Sequence, residues 1–205
     1  MISTPRQTAF GAMAFLSLGV AGYAAFVYGL LPLGSLVHPD MQAAYNSHKV
    51  GIYAHVFGAM FALLLGSWQF SARIRASRPV LHRWMGRLYL GLGVLVGGIA
   101  GLYMAVHAFG GIVARTGFGV LAVLWLFTGL RAYSAIRSGD VASHRRWVVR
   151  NFALTFAAVT LRIWLPCAMA SGIAFELAYP MIAWACWVPN LLIAELVFNR
   201  PRSAA

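Results

Sequence analysis

Six long apolar runs constrain this chain more than anything else in it: Ala9–Leu31, Val50–Phe70, Leu88–His107, Gly117–Ile136, Phe152–Ala174 and Leu177–Phe198. Each has the roughly 20 residues that an α-helix needs to cross a hydrocarbon core of about 30 Å. Lipid offers the backbone no hydrogen bonds, so a segment crossing it must satisfy its own N–H and C=O groups, which a helix does. Only 10% of the residues are charged, against about 25% in a soluble domain, too few to keep a surface wet. The expected fold is all-α: an integral membrane bundle of six transmembrane helices, a single transmembrane domain over residues 1–205.

Arg6 before the first run resembles the start of a signal peptide. The run exceeds the usual h-region, and no small-x-small site closes it, so a retained helix is expected. Arg131 lies near the end of the fourth run, where its stem can snorkel to the headgroups. The fifth and sixth runs are joined by a short connection around Ser171–Glu176. Cys167 and Cys186 fall in apolar stretches without metal-ligand spacing and read as small hydrophobes rather than a disulfide.

The formal net charge is +12. With six spans, thirteen arginines, from Arg6 and the 71–87 and 131–150 loops to Arg200 and Arg202, fall on one side, against Lys49 and Arg115 on the other. Cytoplasmic loops retain Lys and Arg, so both termini are expected in the cytoplasm of a bacterial cell, with the chain in its inner membrane. The basic surplus is then a topology signal and an attraction for anionic lipid headgroups, not a nucleic-acid surface.

Two stretches repeat a pattern at that face. "HRWMGRLY" begins at His82 and "HRRWVVRNF" at His144, each with an arginine seven residues upstream, Arg75 and Arg137. One reading makes them interfacial anchors, with Trp84, Tyr89 and Trp147 as an aromatic belt. The sharper reading is a shared anionic site, with Arg83, Arg87, Arg145, Arg146 and Arg150 around two imidazoles. Guanidinium forks suit phosphate and carboxylate. Its geometric requirement is that His82 and His144 approach within about 12 Å, near enough for one ligand to bridge them.

Polar groups within the spans are costly and informative. His55 and Arg162 lie toward the opposite face, whereas Gln69, Asn151, Asn190 and Glu195 lie in or near the inner half. Asn190, after Pro189, suits a carbonyl freed by a kink. Arg162 is expected to point into the bundle, toward carbonyls near Pro166 or Pro189, Glu176 or a cavity shared with His55. Glu195 is the poorer partner. A b-type haem between His82 and His144 is an alternative, with His55 and His107 a weaker pair. His82 and His107 are about 37 Å apart along one helix, so both would be interfacial. No His-Glu-x-x-His motif, Cys pair, Walker loop or Gly-x-Ser-x-Gly elbow is present, and carboxylates number only four. No metal site or hydrolytic centre is expected.

The runs "AHVFGAMFALLLGSWQF", "LHRWMGRLYLGLGVLVGGIAGLYMA", "GFGVLAVLWLFTGLRAYSAIRSGDVASHRRWVVRNFALTFAAVTLRIWLP" and "AWACWVPNLLIAE" resemble a family of bacterial multi-pass membrane proteins classed as a domain of unknown function. The resemblance covers roughly residues 50–196, which implies a family core over 50–198 and leaves the first helix, 9–31, as a variable addition. It implies that His55, Gln69, His82, Arg83, Gly86, Arg87, Tyr89, His144, Arg145, Arg146, Trp147, Arg150, Arg162 and Asn190 belong to the shared pattern. His107 lies outside it. The family brings a fold and no agreed activity.

The expected function is therefore binding or transport of a small or anionic ligand through the inner arginine–histidine cluster, leaning away from catalysis. A haem- or quinone-linked electron-transfer protein is the redox alternative. A structural membrane subunit, as a homo-oligomer or within a larger membrane complex, is the third.

Overall fold

A computed structural model of the chain describes residues 5–199, and among these every regular element is helical. Six helices are long and apolar enough to cross a membrane: Gln7–Leu30, Lys49–Phe70, Pro79–Val106, Gly111–Arg137, Val141–Ala170 and Phe175–Phe198. Two compact units divide the chain between Ala108 and Phe109, with three of these spans in each.

In the first unit, α1 (Pro5–Leu30) lies against α3 (Lys49–Gly66). The face it buries is a stripe of small residues, Ala14, Ser17, Ala21, Ala24 and Val27. Such spacing lets two backbones approach closely without a large side chain between them. α2 (Pro39–Ser47) is a short surface helix begun by Pro39, where the missing N–H costs nothing. α3 ends in a 3-10 turn, Ser67–Phe70. After α4 (Ala72–Ser77), the third span runs unbroken through α5 (Pro79–Leu88), a π-helical stretch (Tyr89–Val96) and α6 (Gly97–Val106).

Glycine decides how this span crosses α3. A Cβ on Gly58 would fall 2.6 Å from Gly97 Cα, and one on Gly93 would fall 3.0 Å from Ala62 Cβ. Gly93, Gly97 and Gly101 recur every fourth residue and form one face of the helix, so the two backbones touch.

The second unit comprises α7 (Gly111–Arg137), α8 (Val141–Thr155), α9 (Ala157–Ala170), α10 (Phe175–Ala185) and α11 (Val188–Ile193), the last running into a π turn, Ala194–Phe198. α8 and α9 form one span whose α-helical pattern is interrupted at Phe156, a position with no proline. Just before it, Thr155 donates to the carbonyl of Asn151 one turn back. α10 stops at Cys186, ahead of Pro189.

Hydropathy misplaced several ends. The third span starts at Pro79 rather than Leu88, the fourth at Gly111 rather than Gly117, and the fifth at Val141 rather than Phe152. The apolar runs end where charge begins, but backbone hydrogen bonding does not. The helices continue one or more turns past the apolar runs and carry arginines there, side chains whose long stems suit the edge of an apolar layer.

Candidate functional site

The two His-Arg stretches occupy equivalent places in their own units. His82 is the fourth residue of α5 and His144 the fourth of α8, each with its N–H bonded to the residue before the helix, Arg78 and Asp140.

In the first unit, α5 packs against the 3-10 turn that carries Gln69. A Cβ on Gly86 would lie 3.4 Å from Gln69 Oε1, so glycine leaves room for the amide. His82, one turn earlier, shares that face of α5 and is half-buried. Gln69 itself is 8% exposed, and its amide nitrogen is shielded from solvent with no hydrogen-bond partner among the described residues. Its backbone carbonyl accepts from Arg75 Nη1 at 3.0 Å. Arg73, Arg78, Arg83 and Arg87 are exposed at the same end. The Arg87 guanidinium lies over Trp84, 4.9 Å from the ring centre.

The second stretch is engaged differently. His144 Nδ1 lies 2.8 Å from the carbonyl of Ala132 on α7. Arg150 forms a two-point ion pair with Glu195, Nε to Oε1 at 2.5 Å and Nη2 to Oε2 at 2.8 Å. Trp147 carries the guanidiniums of Arg150 and Arg131 over its ring, at 4.5 and 5.3 Å. Arg146 donates to Ser143 Oγ, and Arg145 is exposed. Asp140 caps α8 by accepting from the Ser143 N–H. Hydrogen bonds with Ser143 and the charge of Arg146 hold its carboxyl below the ordinary value.

Deeper in this unit the polar groups bond to one another. Asn151, fully buried, donates to the Trp125 carbonyl at 2.7 Å and to Thr128 Oγ1 at 2.9 Å, while Trp125 Nε1 donates to Thr155 Oγ1. Asn190 Nδ2 reaches the carbonyls of Cys186 and Ala153 and the Thr160 hydroxyl. The Cys186 carbonyl, left over where α10 stops, also accepts from Thr160. Arg162 is half-buried, and its Nη1 donates to the carbonyl of Ala158, one turn back on its own helix. Both cysteines are free thiols.

At the arginine-poor end of the first unit the structure assembles a cluster that no sequence motif announced. His48 Nδ1 lies 2.6 Å from Tyr103 Oη, and the His48 and His107 rings lie against each other with centres 3.8 Å apart and planes tilted by 35°. His107 Nδ1 lies 3.1 Å from the Tyr103 carbonyl. His55 is held separately, its Nδ1 2.9 Å from the Gly97 carbonyl and its ring against Gly101. Helical register placed Tyr103 and His107 one turn apart, but pairing them with His48 required the α3–α6 crossing.

A family model described as a predicted membrane protein, DUF2306, matches residues 52–198. The chain belongs to that family. It is a multi-pass membrane protein whose spans contact the lipid bilayer, and the match leaves α1, α2 and His48 outside the family segment. No curated protein and no solved structure matches the chain.

Proposed function

We propose that this membrane protein binds an anionic ligand, phosphate or carboxylate in chemistry, at the arginine-rich end of its first unit. One observation carries this reading: the buried, unpartnered amide nitrogen of Gln69, beside Gly86 and on the His82 face of α5. A buried donor left without an acceptor is costly, and buried groups of this kind are rare without a water or ligand to complete them. An anion supplies the acceptor, and the exposed guanidiniums of Arg73, Arg78, Arg83 and Arg87 supply long-range attraction. The one carboxylate between residues 1 and 108 is Asp40, on α2, so no acid at this end of the first unit itself competes for the arginines. In the second unit His144 and Arg150 act mainly as ties between helices. The arginine bias further supports a cytoplasmic-membrane location, with this end facing the cytoplasm.

Titrating the detergent-purified protein with inorganic phosphate, and separately with short-chain phosphatidylglycerol, tests the site through thermal unfolding. Stabilisation is expected in the natural protein and should fall by at least half in Gln69→Met and in the double variant Arg83→Gln/Arg87→Gln. Equal responses in the natural protein and Gln69→Met would overturn the assignment. A visible spectrum addresses the redox alternative: a colourless preparation is expected, and a Soret band would transfer the histidines to haem ligation.

A further inference from the structure

Beside the His48–Tyr103 pair, a groove of about 810 Å³ opens sideways between α3 and the third span. Its two walls run antiparallel, so sequence position reports depth. Asn46, Ser47, His48, Lys49 and Tyr103 form one end, and on the third span Ala100 and then Val96 lie progressively deeper, facing Ala54 on α3. From Tyr103 to Val96 the helix advances about 10 Å, most of one leaflet of a core about 30 Å thick. Polarity changes along the same line, from a cation, an amide and an imidazole to aliphatic side chains. No carboxylate lines the groove. Lys49 is exposed at its mouth, whereas His48 is held in place by Tyr103 and His107. Gly51 makes this possible, because a Cβ there would fall 2.7 Å from the Tyr103 ring.

A charged end, an apolar floor about 10 Å long and an open side on the outer surface of two spanning helices match one kind of occupant. We propose that the groove binds a single anionic phospholipid, its phosphate at Lys49 and the end of α2, and one acyl chain along Ala54, Val96 and Ala100. A free anion would leave the apolar walls uncovered. A neutral amphiphile would leave Lys49 without a counter-charge. This site is independent of the one at Gln69, which lies at the opposite end of the same helices.

The test uses the full chain in nanodiscs of phosphatidylcholine containing a minor fraction of phosphatidylglycerol with a photoactivatable acyl chain. Cross-linked peptides are then mapped by mass spectrometry. Adducts should concentrate on residues 46–54 and 96–103, several-fold above other lipid-facing segments. They should fall to the general level in Lys49→Gln and in Ala100→Phe, which fills the groove. Lys49→Gln alters only an exposed head, so its folding is not at issue, and Arg83→Gln/Arg87→Gln should leave these adducts unchanged. Even labelling around the protein would overturn the proposal. So would equal labelling by the phosphatidylcholine analogue, loss of labelling to millimolar inorganic phosphate, or indifference to Lys49→Gln.

Discussion

Single residues here serve two ends, and their hydrogen-bond partners separate them. Asn151 and Thr155 have their polar groups met on α7 and α8, so they hold helices together. Interhelical hydrogen bonds in membranes average about 0.6 kcal/mol, so Asn151→Leu, which loses two, is expected to cost about 1 kcal/mol in a detergent-based unfolding titration. The Arg150–Glu195 pair links α8 to the end of the sixth span, and neither side chain is fully buried. A double-mutant cycle with Arg150→Met and Glu195→Met should give a coupling near 1 kcal/mol. Asp140 offers a pH signature. Its carboxyl titrates below its ordinary value in the folded protein, so the cap is intact above that value and lost as pH falls through the lowered one. Amide protection at Ser143 should drop in that acid window, and Asp140→Asn, which caps without ionising, should abolish the dependence. The sequence exposed Asn190 as a helix-break residue because Pro189 stands beside it. For Arg162 the sequence marked a charge within a span, and the structure adds a bond from its Nη1 to the Ala158 carbonyl of its own helix.

At the scale of elements, contact between backbones sets the first unit. Gly97 meets Gly58 and Ala59 on α3, so Gly97→Leu must drive the helices apart and is expected to abolish folded yield on size-exclusion chromatography. Gly19→Ala adds a methyl where nothing lies within 4 Å and should elute as the natural protein does. The Gly93–Gly97–Gly101 spacing is visible in the sequence, yet spacing alone does not name the partner helix. The helix ends were harder to read, because hydropathy reports where lipid contact stops and not where backbone hydrogen bonding stops. The interruption of the fifth span at Phe156 carries no proline, so no breaker residue marks it in the sequence.

For the molecule as a whole, the arginine asymmetry makes an orientation testable. Cysteines at Ser77 and Ser138 should be silent to an impermeant thiol reagent in intact cells, in a background lacking Cys167 and Cys186, and one at Ala43 should react. Gly110 is unsuited to this test, since its φ is +89° and a Cβ would strike Pro180. Reaction at 77 or 138 would reverse the assignment. The sequence by itself determined the class, the six spans and the expected orientation, because lipid imposes length, apolarity and charge bias on each segment independently of its neighbours. The His48–Tyr103–His107 cluster and the Arg150–Glu195 pair join residues up to 59 positions apart, and the burial of the Gln69 amide depends on its neighbours in the same way. Tertiary structure alone decided those, because which side chains meet depends on which helix faces pack, and a segment's own apolarity carries no record of its partner.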